Sequence, residues 1–119
     1  MSSLSRLDTS ARYSEAVVHG DTVYLAGQVP ADGDADISTQ CRSVFAQIDA
    51  LLSRAGSSNR SILSAQVFLR EIADVAAMNA EWERWIPANC APARATVGNV
   101  CLVDTKWRVE ICVIAAREK

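Results

Sequence analysis

A chain of 119 residues suits one compact domain, expected to span residues 1–119, and leaves little room for two. Hydrophobic residues make up 50% and charged residues 22%, the balance of an ordinary globular protein able to bury one core without staples. The net charge of -2, with no run of Lys or Arg, argues against a general nucleic-acid or membrane-surface binder, whose affinity would come from clustered cations.

The first residues, Met1 to Arg6, contain no apolar core of a signal peptide, and no apolar segment reaches membrane-spanning length. The chain is therefore expected to stay in the cytoplasm. Residues 4–7 read as a short edge strand. Residues 14–19 are extended in character, His19-Gly20-Asp21 is a turn signal, and residues 22–26 return with β-branched and aromatic side chains; together they predict a β-hairpin. Gly27 to Pro30 ends the second strand, and 31–35 is a loop.

The clearest element is a helix over residues 36–55. Ile37, Cys41, Val44, Phe45, Ile48, Leu51, Leu52 and Ala55 recur at three- and four-residue spacing and form one apolar face. Asp34 or Asp36 is placed to cap its start, and Gly56 to supply the left-handed residue at its end. Residues 63–70 predict a strand. A second helix is expected over 75–86, capped by Asp74 and stopped by Pro87, with Val75, Met78, Trp82, Trp85 and Ile86 facing inward. Its tryptophans read as core or interface bulk. A strand follows Pro92 as far as Val100, and the strand 107–116 is the strongest β signal of all. The order β-β-β-α-β-α-β-β predicts the α+β class: a mixed six-stranded sheet carrying two helices on one face.

Chemistry has few carriers in this chain. The four cysteines, Cys41, Cys90, Cys101 and Cys112, include no C-x-x-C pair, and the single histidine, His19, falls in a turn. No metal site is expected, and a histidine-based nucleophile relay has no histidine to spare. In Ala91-Pro92-Ala93-Arg94-Ala95-Thr96-Val97 a proline fixes the entry to a strand, and two alanines leave the guanidinium of Arg94 room to reach outward. That group is shaped to grip a carboxylate through two parallel hydrogen bonds, although an arginine at a strand start also reads as an ion-pair partner.

The last strand alternates. Trp107, Val109, Ile111, Val113 and Ala115 share one face, and Arg108, Glu110, Cys112, Ile114 and Ala116 share the other, which is also largely apolar. Two helices cover only one face, so the other is expected to be buried by another copy of the chain, in a homo-oligomer. Glu110 would lie on that face, either ion-paired with Arg94 or Arg108 or left as a carboxylate tuned for acid/base work. If the Arg94 strand ran beside the last strand, both residues would line one cleft.

The segments Tyr13-Ser14-Glu15-Ala16-Val17, Ala26-Gly27-Gln28-Val29-Pro30, Met78-Asn79, Ala91 to Val97 and Val109-Glu110-Ile111 occur in order across nearly the whole chain. Together they resemble the RidA family, the reactive-intermediate deaminases formerly named YjgF. The short loop after Pro30 and the stretch Ala76-Ala77-Met78-Asn79-Ala80 look closer to a divergent, YoaB-like branch. The resemblance implies a chorismate-mutase-like fold assembled as a homotrimer, with clefts between subunits that hydrolyse 2-imino or 2-enamino acids to 2-oxo acids and ammonia without a cofactor. It casts Arg94 as the carboxylate clamp and Glu110 as the group that positions or activates water. Tyr13, Gly27, Asn79 and Thr96 become substrate-binding residues, Thr96 standing where many members have cysteine. Two departures, Arg12 before the tyrosine and Gly98 after the arginine segment, lie near the expected cleft and leave the substrate open. A non-catalytic trimer that binds small carboxylates or acts as a chaperone is the alternative, and a dedicated catabolic deaminase with a larger substrate is a third reading.

Overall fold

A computed structural model describes residues 3–119. Its strands and helices are β1 (Leu4–Thr9), β2 (Ser14–His19), β3 (Thr22–Leu25), α1 (Ile37–Arg54), β4 (Ile62–Leu69), α2 (Val75–Trp85), β5 (Ala93–Val97) and β6 (Val109–Ala116). This is the predicted order and the predicted α+β class. The strands form one six-stranded sheet in the order β1-β2-β3-β6-β4-β5. Only β4 and β5 run parallel, joined through α2 as a parallel pair requires; the other neighbours are antiparallel. Among the described residues no helix is long and apolar enough to cross a membrane.

The hairpin turn places Gly20 at φ +61°, a left-handed conformation that costs glycine little. Helix α1 starts and stops as its sequence dictates: Asp36 Oδ1 accepts from Thr39 N at 2.8 Å, and Gly56 follows its end at φ +83°. Helix α2 departs from expectation. Asp74 makes no capping bond; its carboxylate takes Arg108 instead, Nε at 3.0 Å and Nη2 at 2.7 Å. A bidentate charged pair outweighs one cap bond. The last ladder begins at Val109 rather than Trp107, because Trp107 N closes a turn onto Asp104 O and Arg108 N is taken by the Gln40 side chain. Strand β5 ends at Val97. A Cβ on Gly98 would lie 2.5 Å from Ile72 Cδ1, so glycine there answers to packing.

Val109, Ile111, Val113 and Ala115 of β6 are buried against Val44, Ile48 and Leu52 of α1 and Met78 and Trp82 of α2, in one core. Cys41 belongs to that core, and burial pushes its thiol up to about 12, far from a reactive thiolate. Among the described residues no layer covers the opposite face of the sheet. Glu110, Cys112, Ile114 and Ala116 stay half-buried there, beside Tyr24 at 45% exposure and Leu63 at 53%. One face is therefore covered and one is bare, as the alternation of the last strand predicted.

Candidate functional site

Glu110 lies on the bare face, at the start of β6, beside the segment that leaves β3. With Tyr13, Ala26, Gly27, Val29, Val103 and Trp107 it lines a hollow of about 350 Å³. Gln28 fixes the floor: its backbone N–H donates to Ile111 O at 2.8 Å and its carbonyl accepts from Ile111 N at 3.1 Å. The Glu110 carboxylate rests on Gly27, where a Cβ would collide with Oε2 and sit 3.0 Å from Cδ. Neither Arg94 nor Arg108 pairs with it, which corrects the ion-pair reading, and Arg108 is bound to Asp74. Burial among apolar walls raises Glu110 above the ordinary carboxylate value. It is the hollow's acidic group, and Tyr13 stands 58% exposed at the mouth.

Arg94 forms a second cluster. Nη2 donates to Asn79 Oδ1 at 2.8 Å, Nη1 lies 3.9 Å from Met78 Sδ, and Cζ stands 5.0 Å from the Trp82 ring centroid. All three partners belong to α2, and all are neutral. Among the described residues no acidic side chain pairs with this guanidinium. Arg94 is exposed, so water solvates its charge, and the N–H donors its neutral neighbours leave over are open to an anion. Thr96 follows two residues later, on the same face of β5.

The two clusters are on opposite faces of the sheet. Arg94 is in register with buried Ala65 on the helix-covered side, and Glu110 pairs with Phe68 on the bare side. Strand β4 stands between β5 and β6, so the condition under which both residues would line one cleft of a single chain is not met. Within one chain the structure brings together Tyr13, Gly27 and Glu110, and separately Arg94 and Asn79.

A groove of about 290 Å³ between α1 and α2 is lined by Arg42, Phe45, Asp49, Glu81, Arg84 and Trp85. Its charges are spent on one another: Glu81 Oε2 accepts from Arg42 at 3.0 Å and from Arg84 at 2.7 Å, and Trp85 Nε1 donates to both Asp49 oxygens at 3.0 Å. Among the described residues no group of three or more His, Cys, Asp or Glu side chains could hold a metal ion. Cys101 is exposed, and Cys90 and Cys112 are half-buried, all as free thiols.

Three members of these clusters escaped the sequence. Val103 and Trp107 wall the Glu110 hollow, although Trp107 was expected among the core residues. Nothing local shows that the turn before β6 swings them round. Trp82 was expected as core or interface bulk and is buried in the core, but its contact with Arg94 was not foreseen. Its spacing from Asn79, i to i+3, is the signal that both would meet the same neighbour.

The family model described as Endoribonuclease L-PSP matches residues 3–117. The RutC family protein YoaB of Escherichia coli is 45% identical over 111 residues, covering 93% of this chain and 96% of that protein. A YjgF-family protein of Neisseria meningitidis superposes with a TM-score of 0.94 at 38% identity, over 98% of this chain and 97% of that one. A Salmonella typhimurium protein described as a candidate translation initiation inhibitor gives 0.87 at 42% identity, over 96% and 97%.

Proposed function

This chain belongs to the RidA (YjgF) family, in a YoaB-like branch, and we propose that it hydrolyses small 2-imino acids of the 2-aminoacrylate type to 2-oxo acids and ammonia. The observation that carries this reading is the Arg94 guanidinium, held by three neutral groups and left free to take a carboxylate. Glu110, raised by burial and without a cationic partner among the described residues, supplies the proton-handling group.

The site is completed across a subunit boundary, in a homotrimer of chorismate-mutase-like fold. Arg94 and Glu110 cannot meet through their own sheet, so one copy offers the clamp and its neighbour offers the hollow. Arg94 grips the substrate carboxylate and orients the C=N bond, with Asn79 and Thr96 beside it and Tyr13 and the Gly27 backbone opposite. Glu110 takes a proton from water as the oxygen adds to the imine carbon. It returns that proton to nitrogen to give the carbinolamine, then passes the hydroxyl proton to the same nitrogen as the C–N bond breaks, so that the C=O bond forms and ammonia leaves. No cofactor takes part. Imines already hydrolyse in water, so orientation contributing several kcal/mol and acid/base assistance of about two to four powers of ten suffice.

Freshly generated 2-aminoacrylate or 2-iminobutyrate, followed by 2-oxo acid release, tests the proposal. Wild type should exceed the buffer rate, and Arg94→Ala should return to it with mass and melting temperature unchanged. Equal rates with and without the wild-type protein, across several imino acids, would reject it. The exposed apolar residues Tyr24, Leu63 and Val97 favour a second reading, a chaperone-like trimer of the same fold. Holding an unfolded client needs no guanidinium, so undiminished suppression of aggregation by Arg94→Ala would identify that activity.

A further inference from the structure

We infer that Trp82 is a positioning residue for Arg94: its indole face carries the guanidinium and, with the Asn79 amide, fixes the plane in which it meets a carboxylate. The inference rests on the reading of Arg94 as a carboxylate clamp and adds what makes that clamp rigid without neutralising it.

Trp82 is 6% exposed and is itself immobilised. Its ring meets Phe45 edge-on, at 6.1 Å between centroids and 73° between planes, and Trp85 in the same manner at 5.5 Å and 75°. Phe45 and Trp85 stack at 4.3 Å and 5°. Trp85 is tied down in turn by its Nε1–H, shared between the two oxygens of Asp49. The three rings bridge α1 and α2 as one block, and Arg94 lies over the Trp82 ring of that block.

Arg94 is exposed, and what holds its guanidinium in place is a set of neutral groups rather than a carboxylate. Two acids flank Trp82 on α2: Glu81 is bound to Arg42 and Arg84, and Glu83 makes no ion pair with Arg94. An aromatic face attracts the cation through the ring quadrupole and takes none of its N–H donors. The amide of Asn79 takes one N–H donor, and the sulfur of Met78 makes a weak, long contact with another. The remaining donors of the fork keep the geometry a carboxylate needs. Because Asn79 and Trp82 are three residues apart on α2, one helix face sets both contacts, and the clamp is oriented before substrate arrives.

The experiment measures affinity for 2-oxobutyrate, a product-like carboxylate, alongside KM and kcat for 2-iminobutyrate. Trp82→Leu should weaken 2-oxobutyrate binding and raise KM by about tenfold, with kcat changed far less, and Trp82→Phe should recover most of the affinity. A fluorinated tryptophan placed at position 82 alone preserves shape and drains the π-face, so it needs no change in packing; affinity should fall stepwise with fluorination. Affinity indifferent to fluorination, or lost equally in the Phe and Leu variants, overturns the inference while leaving the hydrolase reading intact. A wild type that binds 2-oxobutyrate through Arg94 but hydrolyses no imine has the opposite meaning.

Discussion

Glu110 and Gly27 act as a pair. The carboxylate lies where any side chain at 27 would stand, so Gly27→Ala pushes Glu110 out of the hollow rather than straining the backbone. Activity should fall at least about tenfold while the melting temperature moves by only a few degrees, about 4 °C at most. Assaying both on one preparation checks the pairing. Burial also gives Glu110 a pH signature. Its folded value is raised, so the folded state holds the proton more readily than the unfolded state does. The stability this contributes is present below the unfolded value and lost as pH rises through the folded one. Glu110→Gln, uncharged at every pH, should therefore melt above wild type at pH 7. The difference should vanish below the ordinary carboxylate range, where wild type is protonated too. A constant difference from pH 4 to 8 would mean that burial does not tune this group.

The loops that wall the Glu110 hollow are held by one buried side chain. Gln40, fully buried on α1, donates Nε2 towards the carbonyls of Gly33 at 3.2 Å, Ala35 at 3.0 Å and Lys106 at 3.3 Å, and accepts from Arg108 N at 2.8 Å. Gln40→Leu keeps the volume and strands these partners, so it should cost about 2–4 kcal/mol in urea unfolding and loosen the turn that carries Val103 and Trp107. A loss under about 0.5 kcal/mol would mean that water replaces the amide. This element also shows what the sequence could reveal. Helix α1 was legible because apolar spacing, the Asp36 cap and Gly56 all agreed. The cap of α2 was misread because Asp74 answers to Arg108, a partner no local pattern names. Trp107 was assigned to the wrong face because alternation was carried into a turn that ends before Val109. Arg94 and Glu110 were singled out, but not their separation, since the face a strand residue takes depends on register with β4.

The molecule is a slab 46 × 37 × 20 Å, thin because it has one helix layer and one sheet. In the proposed assembly a second copy of the chain would cover its bare face and join its divided clusters. Arg94 sits with the helices and Glu110 faces away from them, so a cleft using both must draw them from two copies. Two inactive variants should then repair each other. Arg94→Ala retains a sound hollow, and Glu110→Gln retains a sound clamp. In a cyclic assembly formed from equal amounts of the two, a cleft is intact when its clamp comes from the Glu110→Gln copy and its hollow from the Arg94→Ala copy. Random mixing gives about one such cleft in four, whatever the number of subunits in the ring. Co-expression of the two variants should restore about a quarter of wild-type imine hydrolysis, from parents that each show almost none. The restored activity should travel with the species that carries both affinity tags. If mixed assemblies form and stay inactive, the clamp and the acid do not serve a shared cleft. If each variant alone retained activity, neither residue would be required.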